Sequence, residues 1–284
     1  MSKKFLVFFG LIILLADIAV AQSFYSRSRN RSWTISAGMG IGSYFGDLNN
    51  PGDIIDFTPD ATFGLRYRLN NRISVGGNFG WFMLRGDDKE ADGPGREIRN
   101  LSFSSHNFEG MLFLSVDAYP VGNRFYQRPF VNPYTYVGIG LTYFNPRAEL
   151  DGEWHALRPL QTEGVAYSPI TPIVPIGIGF KFRATPFINI VLEGGYRFTF
   201  TDYLDDVSTE YPEPSALQSD LARELSIRSD ELEPPVNQEV GGIRGNPANN
   251  DGYFLATIKI EYFLGGSLFG KDPYNRGMRG RRRR

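Results

Sequence analysis

Residues 253–263 read Tyr-Phe-Leu-Ala-Thr-Ile-Lys-Ile-Glu-Tyr-Phe. Phe254, Ala256, Ile258, Ile260 and Tyr262 share one parity, and Tyr253, Leu255, Thr257, Lys259 and Glu261 share the other. Successive side chains of a strand point to opposite faces, so one surface is apolar with an aromatic at each end and the other carries ions. A soluble sheet could do this once. Here the dyad pattern recurs about eight times, which is the pattern of a transmembrane β-barrel.

The period-2 test marks strands at Trp33 to Tyr44, Ala61 to Leu69, Ile73 to Leu84, about His106 to Tyr119, Tyr134 to Phe144, Ile173 to Arg183, Ile188 to Phe200 and Tyr253 to Phe263. Each has roughly the length that a tilted strand needs to cross a bilayer. The connections alternate. Asn70-Asn71, 120–133 and 184–187 are short, whereas roughly 45–60, 85–105, 145–172 and 201–252 are longer. Outer-membrane barrels combine short periplasmic turns with long extracellular loops, and an even strand number predicts both termini in the periplasm.

The charges choose between this fold and a soluble lipocalin-type barrel, which is polar outside and apolar within. Arg66, Arg68, Lys181, Arg183, Arg197 and Lys259 fall opposite the apolar stripe, as do Glu109, Asp117, Glu193 and Glu261. A mid-membrane Arg or Lys facing lipid costs about 2–4 kcal/mol, so this face points inward. Ten ions in a lumen that side chains alone can fill are expected to pair with one another, with inward glycines making room. The fold expected is an all-β, eight-stranded antiparallel transmembrane barrel with a charged, side-chain-filled lumen, a plug and not a pore.

Composition agrees. Lys3 and Lys4, the apolar run Phe5 to Leu15 and Ala19-Val20-Ala21 form a signal peptide over 1–21. The apolar run is shorter than the roughly 20 residues of a membrane-spanning helix. Residues 22–32 would form an N-terminal periplasmic segment, 33–264 the barrel and 265–284 a periplasmic tail. Removing Lys3, Lys4 and Asp17 leaves 28 basic and 30 acidic residues, a balance that argues against nucleic acid. There are no cysteines, so stability must come without disulfides. Thirty-two glycines and 38 Phe plus Tyr residues suit a barrel with aromatic girdles.

Outside the strands, Ser215-Ala-Leu-Gln218 resembles a capping box, and Leu217, Leu221 and Leu225 follow at helical spacing. A short amphipathic helix is expected from Ser215 to about Arg228, its leucines packing on the loop's own aromatics or docking a partner. Asp202, Asp205 and Asp206 could ligate calcium, but the spacing matches no EF-hand loop, and solvated or Arg-paired carboxylates are the simpler reading. Neither histidine stands in a catalytic arrangement. His106 lies near Ser104, Ser105 and Glu109, but an offset of three puts His106 and Glu109 on opposite faces. His155 sits in a loop beside Trp154. No catalytic residue, metal, cofactor or small-molecule substrate is expected. The tail carries Lys271, Arg276, Arg279, Arg281, Arg282, Arg283 and Arg284. It either contacts anionic head groups or joins Arg124 and Arg128 of the 120–133 turn in holding a periplasmic partner.

Four stretches resemble the PorG-like outer-membrane proteins of the Bacteroidetes. They are Ser43-Tyr-Phe-Gly-Asp-Leu-Asn49, Tyr143 to Gly164, Tyr196 to Tyr211 and Arg244-Gly-Asn-Pro247. The resemblance implies a component of the type IX secretion and gliding machinery, associated with a periplasmic ring of PorK and PorN type, and it implies no catalytic residues. The Arg-rich end has no place in that pattern. The function expected is therefore a non-enzymatic outer-membrane anchor. A surface barrel binding ligands or cells through its loops is the alternative, and a barrel-embedded lipid-modifying enzyme is a third.

Overall fold

The computed structural model describes residues 33–48, 58–90, 96, 98–122 and 128–264. The expected signal peptide, the 22–32 segment, Arg124 and the 265–284 tail lie outside the described residues. The strands are β1 (Trp33–Phe45), β2 (Thr58–Arg68), β3 (Ile73–Asp87), β4 (Ser102–Asp117), β5 (Val131–Tyr143), β6 (Pro146–Leu150), β7 (Glu153–Ala156), β8 (Ile170–Arg183), β9 (Ile188–Thr199) and β10 (Gly252–Phe263). One short helix, α1 (Asp220–Ser226), lies between β9 and β10.

Eight strands form the barrel. Neighbours pair antiparallel in the order β3-β2-β1-β10-β9-β8-β5-β4, and pairing of β3 with β4 closes the ring. That closing ladder runs from Ile73 opposite Val116 to Asp87 opposite Ser102. A closed ring leaves no unpaired edge, which backbone in hydrocarbon requires. The strands start or end up to four residues from the expected bounds. β2 begins at Thr58, β4 at Ser102 and β8 at Ile170, while β3 continues to Asp87. These extensions lie at the long-loop end, where cross-strand hydrogen bonding continues after the apolar alternation has ceased.

The sidedness follows the charges. Met39, Leu112, Ile139, Ile178, Ile258 and Ile260 are exposed on the outer wall. Aromatics rim this band, with Tyr119, Phe130 and Tyr262 toward the turn end and Phe108, Phe198 and Phe200 toward the long-loop end. An apolar outer band between aromatic girdles, with charges within, is a lipid-facing barrel wall. Among the described residues no helix is long and apolar enough to cross a membrane.

Two elements depart from expectation. The 145–172 connection contains the β6–β7 hairpin, which adds to the upper part of β4 through Ser104 opposite Arg147 and Ser105 opposite Pro146. The helix is only Asp220–Ser226, and its N-cap is Ser219, whose side chain accepts from Ala222 N at 3.1 Å. Ser215 lies instead in a 3-10 turn (Pro214–Ala216) that ends at Leu217 in extended backbone (φ −82°, ψ 133°). The expected capping box therefore cannot form, because the chain leaves helical geometry two residues after Ser215.

Candidate functional site

The interior holds two built regions, an ionic lumen between the strands and a cap over the long-loop end. In the lumen, small and large residues alternate around the ring. Gly177 and Gly195 allow the Tyr136 ring to lie flat against the wall, since a Cβ at either would fall within 2.5 Å of that side chain. Tyr134, Tyr136, Phe113, Met111 and Val191 form the lumen's apolar cluster. The inward aromatics of β4 and β5 were not read from the sequence, because the outward positions of those strands carry the same residue types.

Four ion pairs cross the lumen. Arg197 Nε lies 3.1 Å from Glu109 Oε2, Lys259 Nζ 2.6 Å from Glu193 Oε1, Lys181 Nζ 2.6 Å from Asp117 Oδ1, and Arg66 Nη1 3.4 Å from Glu261 Oε1. Hydroxyls and amides supply the remaining donors. Tyr253 donates to Glu109 at 2.7 Å, Tyr134 donates to Glu193, and Asn189 donates to Glu261 at 2.8 Å. Such donors offset part of the cost of burying a carboxylate. Arg68 and Arg183 join none of these four pairs. The Arg68 guanidinium lies over the Phe263 ring at 5.6 Å, and Arg183 donates to the Arg128 carbonyl at 2.7 Å. A fifth buried carboxylate, Asp60, accepts from Thr257 at 2.9 Å. It was missed because the apolar alternation of β2 begins one residue later.

The cap is the larger surprise. The long connections fold inward over the barrel mouth around one apolar core, which includes Tyr44, Phe82, Phe103, Phe144, Leu204 and Leu225. Two buried arginines tie the connections together. Arg99 donates to both carboxylate oxygens of Asp88 at 2.7 Å, to the Asp47 carbonyl at 2.9 Å, and to the Arg244 carbonyl. Arg244, 2% exposed, donates to Glu163 Oε1 at 2.7 Å and to the Asp206 carbonyl at 2.6 Å. Glu163 also accepts from the Ser208 and Thr209 backbone N–H groups at 2.9 and 3.1 Å. The four stretches that resemble PorG-like proteins contribute Asp47, Glu163, Asp206 and Arg244, and they meet here.

The three aspartates considered for calcium are engaged separately. Asp206 accepts from Tyr167 at 2.6 Å and from Thr162, and Asp205 accepts from the Val207 N–H at 2.9 Å. Asp202 Oδ2 and Asp205 Oδ2 are buried without a hydrogen-bond partner among the described residues. Burial pushes Asp202 up to about 7 and Asp206 up to about 6, and it raises Asp205 and Asp251 well above the usual carboxylate range. No three His, Asp or Glu side chains among the described residues are arranged to hold a metal ion. His106 is exposed on the outer wall, stacked on Trp81 at 5.7 Å, while Glu109 faces the lumen.

At the turn end, Arg128 folds back on the barrel. It donates to the carbonyls of Thr185 and Pro186 at 2.9 and 3.2 Å and to Asn189 at 3.3 Å. This side chain braces the barrel's own rim.

Residues 12–221 match the family described as Domain of unknown function (DUF6089). The chain belongs to that family. No curated protein matches the chain. Among solved structures, Neisserial surface protein A is 9% identical, with 84% of this chain and 100% of that chain covered and a TM-score of 0.40. Ail, the attachment invasion locus protein of Yersinia pestis, is 11% identical (81% and 97% covered, TM-score 0.39), and OprG from Pseudomonas aeruginosa is 12% identical (83% and 97%, TM-score 0.39). The fold assignment of this DUF6089 protein stands on its own strand register and sidedness.

Proposed function

We propose that this protein is a non-enzymatic barrel of the bacterial outer membrane that holds periplasmic components of a type IX secretion or gliding complex at the membrane. The observation that carries the reading is the filled interior. Paired ions and aromatics occupy the lumen, and a packed apolar core covers the long-loop mouth. A barrel so filled offers no route for solute, so its work is done by its surfaces. The resemblance of four stretches to PorG-like proteins supplies the class of partner, periplasmic ring proteins of PorK and PorN type. In this reading both termini are periplasmic, and the contact is made by the 120–133 turn, the 184–187 turn and the tail from Lys271 to Arg284. Affinity capture from outer membrane with and without residues 265–284 tests it. Ring components should co-purify with the full chain and diminish on truncation, and recovery of no periplasmic protein with the full chain overturns the reading.

A second reading, binding of a ligand or another cell through the long loops, is favoured by the apolar residues that the cap leaves exposed. Trp154 is 53%, Val240 49% and Ile243 83% exposed. Removing the β6–β7 hairpin would abolish surface binding under this reading and leave periplasmic capture unchanged.

A further inference from the structure

The outer surface of the cap presents apolar side chains on a turn that hydrogen bonds hold in place. Residues 239–242 form a β-turn in which the Gly242 N–H donates to the Glu239 carbonyl at 2.9 Å, with Gly241 at φ +77°, a conformation that glycine adopts readily. Val240 stands at the corner of this turn and Ile243 follows it, 49% and 83% exposed. The turn is fixed from below. The Tyr211 N–H donates to the Gly242 carbonyl and the Gly241 N–H to the Tyr211 carbonyl, both at 2.9 Å, and Ile243 forms a bridge with Glu210. The next residue, Arg244, is buried in the cap and donates its N–H to the Thr209 carbonyl at 2.9 Å. The Gln238 side chain donates to the Ile98 carbonyl at 3.3 Å, which brings Ile98, also exposed, beside the same segment. Single exposed aliphatics are ordinary, but a group of them on a braced turn rimmed by polar residues marks an interaction surface.

The rim says what the partner must carry. Glu239 starts the turn, and a Glu210 carboxylate oxygen lies 3.9 Å from where a Cβ on Gly241 would be. Over 201–251, eight acidic side chains are exposed, and Arg223 is the one exposed basic side chain. Asp220 pairs with Arg223 and Glu231 with Arg228. The other six, Glu210 and Glu239 among them, form no ion pair with a described residue. The whole chain has a formal net charge of only −1, so this imbalance belongs to the loop and not to bulk composition. Such a rim repels phosphate-bearing surfaces and nucleic acid, and it attracts a basic partner.

We propose that the 239–243 turn is a docking surface for a basic polypeptide segment, in which Val240 and Ile243 supply the apolar contact and Glu210 and Glu239 meet Lys or Arg side chains around it. This rests on the loop-binding reading and names its segment and the chemistry of its partner. It stands apart from periplasmic anchoring, which uses the other end of the barrel.

The test is titration of the full-length protein in nanodiscs of zwitterionic lipid, with empty discs as reference, by three labelled peptides. They are Lys-Lys-Leu-Val-Lys-Lys, Lys-Lys-Ser-Ser-Lys-Lys and Glu-Glu-Leu-Val-Glu-Glu. The first should bind saturably, the second about tenfold more weakly because it has no apolar side chains to bury, and the third not at all. Val240→Ser with Ile243→Ser should bring the first peptide down to the level of the second. Glu210→Gln with Glu239→Gln should weaken both basic peptides about threefold or more at low salt and flatten the dependence on salt. Heat-dependent gel migration and protease resistance over 200–251 report that each variant keeps its barrel and cap. Absence of saturable binding by the first peptide, equal binding of the first and third, or affinities unchanged in both folded double variants overturns the proposal. Binding that survives the turn variants and is lost on removal of the β6–β7 hairpin also overturns it, while leaving the loop-binding reading in place.

Discussion

Arg244 illustrates what decides stability at the scale of one side chain. Its guanidinium is 2% exposed, and its partners are Glu163 and the carbonyls of Asp206 and Ser226. Replacing it with Met would leave the Glu163 carboxylate buried without its cation. Losing one member of a buried pair costs about 3–5 kcal/mol, so Arg244→Met should open the cap to protease at 200–251 while the barrel keeps its heat-dependent migration. The sequence announced the lumen ions more clearly than their pairings. An ion's face can be read because the lipid alternative is so unfavourable, which places Arg197 and Glu109 inward without any knowledge of neighbours. That they meet at 3.1 Å, 88 residues apart and on strands that do not pair with each other, follows only from ring closure. The cap arginines lack even that signal, since no periodicity runs through their loops.

At the scale of elements, the long loops behave as folded structure. α1 is a seven-residue helix, too short to persist alone. It is held by Ser219 at its N-terminus and by Leu225 in the cap core. Ser219→Ala should cost about 0.5–2 kcal/mol, seen as faster amide exchange over 220–226 with little change in β9 or β10. The cap should also loosen with rising pH. Burial holds Asp206 near 6 and Asp202 near 7 in the closed state, against an ordinary value of 3.8. Between about pH 4 and 7 the opened loops release these protons while the closed cap retains them, so closure weakens as pH rises through that window. Exchange over 200–251, corrected for intrinsic rate, should be slower at pH 5 than at pH 8, and Asp206→Asn should reduce the difference. The hairpin β6–β7 escaped the sequence reading because its strands are five and four residues long, too few for a period to declare itself. The helix was found but shifted, because Leu217 to Leu225 supplied the period while the backbone break at Leu217 left no trace in it.

For the whole molecule, sidedness is the property on which the rest depends. Ile178 is 58% exposed on the outer wall, and Lys181, three residues on, is 8% exposed within. Ile178→Arg should lower the stability of the barrel in lipid by about 2–4 kcal/mol, measured as a shift in the urea midpoint in vesicles, whereas a cysteine at Lys181 should resist lipid-dissolved reagents that label a cysteine at Ile178. The eight-stranded barrel and the inward placement of its ions followed from the residues alone, because strand geometry repeats every two residues and hydrocarbon tolerates no other placement of charge. The covered mouth and the pairing of ions across the lumen were decided by tertiary structure. They depend on which distant segments closure of the ring brings within a few ångströms, and short-range periodicity carries no record of that.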